Sequence, residues 1–250
     1  LAADVLAGKQ MFSRSGDPRM SLDGYVSCAS CHLDGEDDGR TWDFTQRGEG
    51  LRNTISLRGY RDHADGPIHW SGNFDEIQDF EADIRNGQGG RGFLSNDLWE
   101  SAAGQSLGAS KAGLSPELDA LAAYVESIGP IELPALPFEP YGLTVFRTVG
   151  CGECHPNGGT DSSWTAPGTP LLHDLRTIGP LSGQRLGGPL IGIDSPDLRG
   201  VWATGPWLHD GSAATLETLF TDRNVAYLHG DFEGLTDDAI PALVEYLRTL

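Results

Sequence analysis

Apolar residues recur at helical spacing in two widely separated stretches, Leu118, Leu121, Ala122, Val125 and Ile240, Leu243, Val244, Leu247. Each stretch has a start signal. Ser115 can cap the first, with Pro116 at the opening position and Glu117 in the first turn. Thr236, followed by Asp237 and Asp238, does the same for the second. Two further helices are predicted to end near Gly8-Lys9-Gln10-Met11-Phe12 and Gly142-Leu143-Thr144-Val145-Phe146. No run approaches the roughly 18 apolar residues of a membrane helix. The 34 glycines among 250 residues are about twice the usual share of roughly 7%. The pattern therefore predicts short helices joined by long loops.

The helices belong to a repeat. Ser56-Leu57-Arg58-Gly59 parallels Asp197-Leu198-Arg199-Gly200, and Gly66-Pro67-Ile68-His69-Trp70-Ser71-Gly72 parallels Gly205-Pro206-Trp207-Leu208-His209-Asp210-Gly211. Ala123 to Ile128 likewise parallels Glu245 to Leu250. Between the copies runs a proline-rich stretch from Pro130 to Pro140, whose composition predicts a stiff extended linker. The expected organisation is a domain over 1–130, a linker over 131–140 and a second domain over 141–250.

All four cysteines fall in two copies of one motif, Cys28-Ala29-Ser30-Cys31-His32 and Cys151-Gly152-Glu153-Cys154-His155. C-x-x-C-H reads as a c-type haem attachment. Two intervening residues let one turn present both sulfurs to the haem vinyl groups, and the adjacent histidine reaches the iron from the same side. A thioredoxin-like site would stand near a βαβ pattern, and none is visible. A zinc site could use such cysteine pairs, but a histidine directly after both pairs argues for haem. The reading is thus a mainly α chain of two cytochrome-c-like helical domains with long loops, each around one covalently bound haem c. His32 and His155 are the proximal iron ligands. Thioether attachment would consume every cysteine, so no disulfide is expected. Covalent haem c is assembled outside the cytoplasm, which implies a periplasmic or extracellular location. The start of the chain has neither a basic n-region nor an apolar h-region, and so reads as a mature form or an excised fragment.

The formal charge of −19, from 36 acidic against 17 basic residues, disfavours nucleic acid and anionic membranes. It reads either as a solvated acidic surface or as a docking face for a basic redox partner. The expected partners are a redox protein or a small electron donor or acceptor.

The stretch Asp197-Leu198-Arg199-Gly200-Val201-Trp202, with Thr204-Gly205-Pro206-Trp207-Leu208-His209-Asp210-Gly211-Ser212 and Thr215-Leu216-Glu217, resembles the bacterial di-haem cytochrome c peroxidase family, which includes the MauG-type enzymes. With both haem motifs and the linker, the resemblance covers most of the chain. It implies a methionine ligand to the second haem at the position of Leu208, which cannot bind iron. Met11 and Met20, the only methionines, both precede the first motif and read as packing. The second iron is then open, water-bound or ligated by another histidine, for which His173 is the candidate distal ligand.

In the first half His69 occupies the position equivalent to Leu208, and is read as the distal ligand of the first haem, with His63 as the competitor. The resemblance gives Trp70 a place between the haems, where it helps electrons pass. Trp42, Trp202 and Trp207 read as haem-pocket walls. Arg58 and Arg199 are candidates to pair with haem propionates. His209 is either structural or an acid–base group beside the second haem, and is the one catalytic candidate. His229, before Gly230-Asp231, reads as a loop residue. Peroxide-reducing relatives carry a Gln ten residues after the tryptophan and a Glu some ten further on; those positions here are Phe80 and Gly90, with Gln78 and Glu81 off register. The acidic stretch from Asp34 to Gly39 suggests either a solvated loop or the calcium ion often held by this family. Electron transfer through two haems is the favoured function, and peroxide reduction or MauG-like oxidation at the second haem is the alternative.

Overall fold

In the computed structural model, helix α1 (Ala3–Phe12) packs on a later helix over Pro116–Glu126 because Gly8 faces the backbone of Ala120 and the Cβ of Tyr124. The structure describes residues 1–59, 66–101, 105–132 and 135–250. These form two compact units. Unit 1 comprises 1–38, 54–130 and 166–169; unit 2 comprises 39–53, 131–165 and 170–250. Residues 39–53 belong to unit 2 although they precede the linker.

Unit 1 holds α1, α2 (Glu81–Asn86), α3 (Asn96–Glu100) and α4 (Pro116–Glu126). Ser115 caps α4 by accepting from the Leu118 N–H at 3.3 Å, with Pro116 at the first helical position. Leu118, Leu121, Ala122 and Val125 all point into a core with Phe12, Met20 and Ile84. Phe12 meets Tyr124 edge-on at 5.0 Å, an arrangement worth about 0.5–1.5 kcal/mol beyond burial.

Unit 2 repeats this device. Its helices are α5 (Pro140–Thr148), α6 (Leu216–Phe220) and α7 (Ala239–Leu247). Gly142 faces the backbone of Ala242 and the Cβ of Tyr246, and Phe146 meets Tyr246 edge-on at 5.4 Å. Glu139 caps α5 by accepting from the Tyr141 N–H at 3.0 Å. α7 begins later than its start signal predicts. The Thr236 hydroxyl donates to the Asp238 carboxylate and pairs with Tyr141 Oη, so it is spent outside the helix, which opens at Ala239. Strands β1 (Thr41–Asp43) and β2 (Leu51–Asn53) pair antiparallel. β2 is tied to unit 2 by Leu51 N–H to Leu181 O at 2.8 Å and Asn53 N–H to His209 O at 2.7 Å.

The α-helices and 3-10 turns together make up 33% of the described residues. The remainder is mostly irregular, with small two-stranded sheets. The mainly α expectation therefore holds only in its coarser form, a cytochrome-c-like core of short helices. The glycine-rich segments form loops because they supply the left-handed backbone that tight turns require. Among the described residues, no helix is long and apolar enough to cross a membrane.

Candidate functional site

The two cysteine–histidine motifs fold alike. Cys28–Ser30 and Cys151–Glu153 each form a single 3-10 turn. The His32 N–H donates to Cys28 O at 2.9 Å, and the His155 N–H to Cys151 O at the same distance. Ser27 and Ser30 cap the first turn reciprocally. After each histidine the chain passes through a left-handed residue, Asp34 or Asn157, into a glycine packed on the end of its unit: Gly35 against Ile128, and Gly158 against Leu250. The Leu57 N–H then donates to Gly35 O at 2.9 Å, and the Leu198 N–H to Gly158 O at 3.1 Å. One turn thus presents both sulfurs and the imidazole in each unit.

The electrostatics separate these turns from a redox-active cysteine pair. Burial pushes Cys28 and Cys151 up to about 12 and Cys31 to about 11. A thioredoxin-like pair needs the opposite shift, toward thiolate. None of the four cysteines is in a disulfide. Burial also pushes His32 down to about 4 and His155 downward, so both imidazoles are neutral near pH 7 and able to donate a lone pair to a metal. His155 donates from Nδ1 to Gly159 O at 3.2 Å, which leaves Nε2 for the ligand side. The thiols, the neutral imidazoles and their apolar surroundings fit haem c.

In unit 1, His69 lies near enough to His32 for its charge to depress His32 further, after burial itself. Asn73 Oδ1 accepts from His69 Nδ1 at 2.9 Å, and Phe74 and Phe80 pack on the ring with centroids at 4.7 and 4.8 Å. Trp70 follows, half-buried. His63 lies outside the described residues. Gln78 is buried and donates to Asp119 at 3.0 Å. Glu81 is buried and accepts from the N–H groups of Phe93 and Leu94 and from Arg85. Both are occupied in holding the unit together, and Met20 is fully buried in the core.

In unit 2, His155 lines a partly open cavity with about 360 Å³ of atom-free space, walled by Phe146, Leu198, Val201, Leu219 and Leu243 among others. The histidine that shares this cavity is His229. Burial, with His155 adding, pushes His229 down to about 4, leaving it neutral. Its loop is fixed by Asn224, which accepts from the His229 N–H at 2.8 Å and donates to Gly230 O at 2.7 Å. His173 is placed elsewhere: Nε2 pairs with Asp161 Oδ2 at 2.9 Å, and Nδ1 lies 3.7 Å from Cys154 Sγ. Leu208 packs into the core. His209 is buried, with Nε2 at 2.9 Å from Ser182 Oγ. Arg58 pairs with Glu36 at 3.0 Å and Arg199 with Asp197 at 2.8 Å. Trp207 donates to Val201 O at 2.9 Å, Trp42 is half-buried and Trp202 is exposed. Among the described residues, the side chains grouped closely enough to share a metal ion are Cys154, Asp161 and His173, and the stretch from Asp34 to Gly39 forms no such group.

The fold is cytochrome-c-like, and the chain is similar to proteins of the di-haem peroxidase and MauG type. Residues 192–228 match the model of the RoxA-like, cytochrome c-like family. The chain is 28% identical to hydrazine synthase subunit gamma of Kuenenia stuttgartiensis, over 94% of its own length and 74% of the relative's. It is 22% identical to the cytochrome c551 peroxidase of Nitrosomonas europaea, over 97% and 78%. Its fold is that of a MauG-like protein associated with microbial copper homeostasis (TM-score 0.66, 20% identity, covering 100% of this chain and 88% of that one). A variant of the diheme peroxidase BthA from Burkholderia thailandensis shares it too (TM-score 0.58, 18% identity, 98% and 85%). These likenesses support haem c as the cofactor and a haem-based redox function.

Proposed function

We propose that the chain is a di-haem c-type cytochrome that transfers electrons, with one haem c attached covalently in each half. Cys28, Cys31 and His32 would hold the first, and Cys151, Cys154 and His155 the second. The observation that carries this reading is the matched pair of Cys-x-x-Cys-His turns, each with a second histidine: His69, which acts electrostatically on His32, and His229 in the cavity of His155. Haem c, when bound, supplies an iron that accepts and releases one electron.

The residues do the rest. Two histidines on each iron would close it to small substrates, and their hydrogen bonds to Asn73 and Gly159 fix the rings so that little reorganises on electron transfer. The apolar walls exclude water and help set the potential. Covalent attachment places the protein in the periplasm or outside the cell. The charge of −19 suits a basic redox partner, whose association would slow as salt rises.

The likeness to a cytochrome c551 peroxidase favours a second reading, peroxide reduction at the second haem, which requires His229 to leave the iron. Electronic and EPR spectra of the oxidised and half-reduced holoprotein separate the two. Two low-spin haems in both states are expected. A high-spin signal that changes on adding hydrogen peroxide would overturn the electron-transfer reading.

A further inference from the structure

Arg52 in β2 is 5% exposed, and its Nη1 donates to Leu51 O at 2.7 Å and Ser182 O at 2.8 Å. Its Nε and Nη2 are buried with no hydrogen-bond partner. Those two nitrogens form one edge of the guanidinium, the fork that receives a carboxylate through parallel N–H bonds. Among the described residues no carboxylate forms an ion pair with Arg52. Burying a charged donor without its partner is expensive, so such an edge marks the place of an anion. Arg223 adds a second buried, unpartnered Nε, and both arginines act on the buried His209 between Leu208 and Asp210. Leu208, next to His209, packs against the apolar cluster that walls the cavity of His155, and Arg223 follows Phe220 of that wall by three residues. In unit 2, Arg199 has already committed its fork to Asp197 through Nε and Nη2; Arg58, in unit 1, gives Nη2 to Glu36 and keeps a buried Nε without a partner.

We propose that Arg52, assisted by Arg223, is a carboxylate receptor whose ligand is a propionate of the haem attached at Cys151 and Cys154. The inference rests on the haem occupancy proposed above. It replaces Arg199 as the propionate partner in this unit. A free oxyanion such as formate or nitrite presents the same pair of oxygens, and the test distinguishes the two.

The holoprotein is compared with its Arg52→Gln and Arg52→Lys variants by resonance Raman spectroscopy and by redox titration across pH. In Arg52→Gln the propionate bending band of one haem shifts, the midpoint potential of that haem falls, and the pH inflection of its potential moves upward. Arg52→Lys, which keeps the charge but loses the fork, shifts the band without the full fall in potential. If Arg52→Gln does not accumulate, the Lys variant decides through the same band. An unchanged band and potential overturn the proposal. So does a spectral response of the wild-type holoprotein to added formate or nitrite that is absent from Arg52→Gln, because the receptor would then hold an exchangeable anion. The low-spin EPR signal reports the axial histidines separately, so a failure of that reading is not mistaken for a failure of this one.

Discussion

His69 and Leu208 occupy one backbone conformation at the same point of the repeated turn, with φ of 70° and 69°. The carbonyl of His69 accepts from the Gly72 N–H at 3.0 Å and that of Leu208 from the Gly211 N–H at 3.1 Å. The turn is the same in the two halves while its side chain changes from an imidazole to a leucine packed against the core. In unit 2 the histidine that shares the cavity of His155 comes from another element, the α6–α7 loop, as His229.

Replacing His229 with alanine should convert one of the two haems from low-spin to high-spin, seen by EPR and in the visible spectrum, and open it to cyanide. His173→Ala should leave both haems low-spin, since His173 lies beside the Cys154 sulfur. The reverse outcome would return His173 to the iron.

His69→Ala should do the same to the other haem. Asn73→Ala removes the acceptor of the His69 Nδ1 bond at 2.9 Å. It should leave the haem low-spin and raise its potential, because a less electron-rich imidazole stabilises the oxidised iron less. Redox titration reads that difference.

The two glycine contacts should report on the units separately. An added methyl at Gly8 would collide with Ala120 O, and one at Gly142 with Ala242 O. Backbone cannot yield as a side chain tip can, so each alanine variant should lose about 1–3 kcal/mol or more in denaturant unfolding. Gly8→Ala should disturb mainly the first haem's spectrum and Gly142→Ala the second's.

Asp194 should make stability depend on pH. Burial raises its carboxyl to about 7, against the Ser162 hydroxyl that favours the charged form and together with the charge of Asp161. Its unfolded value is about 4, so the folded state holds the proton more tightly. Stability from this group is therefore lost as pH rises from about 4 to about 7, by up to about 4 kcal/mol. Asp194→Asn should flatten that slope in melts at pH 5 and 8. An equal slope in both proteins would show that Asp194 does not carry it.

Removing Lys111, buried against Asp79, should cost about 3–5 kcal/mol, because a charged carboxylate would be left alone in the core. Lys111→Met together with Asp79→Leu should recover much of the loss, measured by chemical denaturation.

Much of this was legible before any coordinates. The helix pairs follow from apolar spacing and caps, and the two cysteine–histidine turns from a motif whose spacing already encodes one turn. The shared turn of His69 and Leu208 followed from the internal repeat, since equivalent segments fold alike. The late start of α7 was not legible, because the partner that draws Thr236 away, Tyr141, is 95 residues distant.

By itself, then, the sequence determined what local geometry can express: two Cys-x-x-Cys-His turns, two matched helix pairs and an acidic chain. Tertiary structure decided which residues meet from afar. His229 has no periodicity or motif to mark it, and only the α6–α7 loop, pinned by Asn224, brings it into the cavity of His155. Arg52 became a candidate receptor only when β2 joined unit 2 and its guanidinium was buried without an anion. Burial and long-range pairing are properties of the packed chain, and no short window of residues contains them.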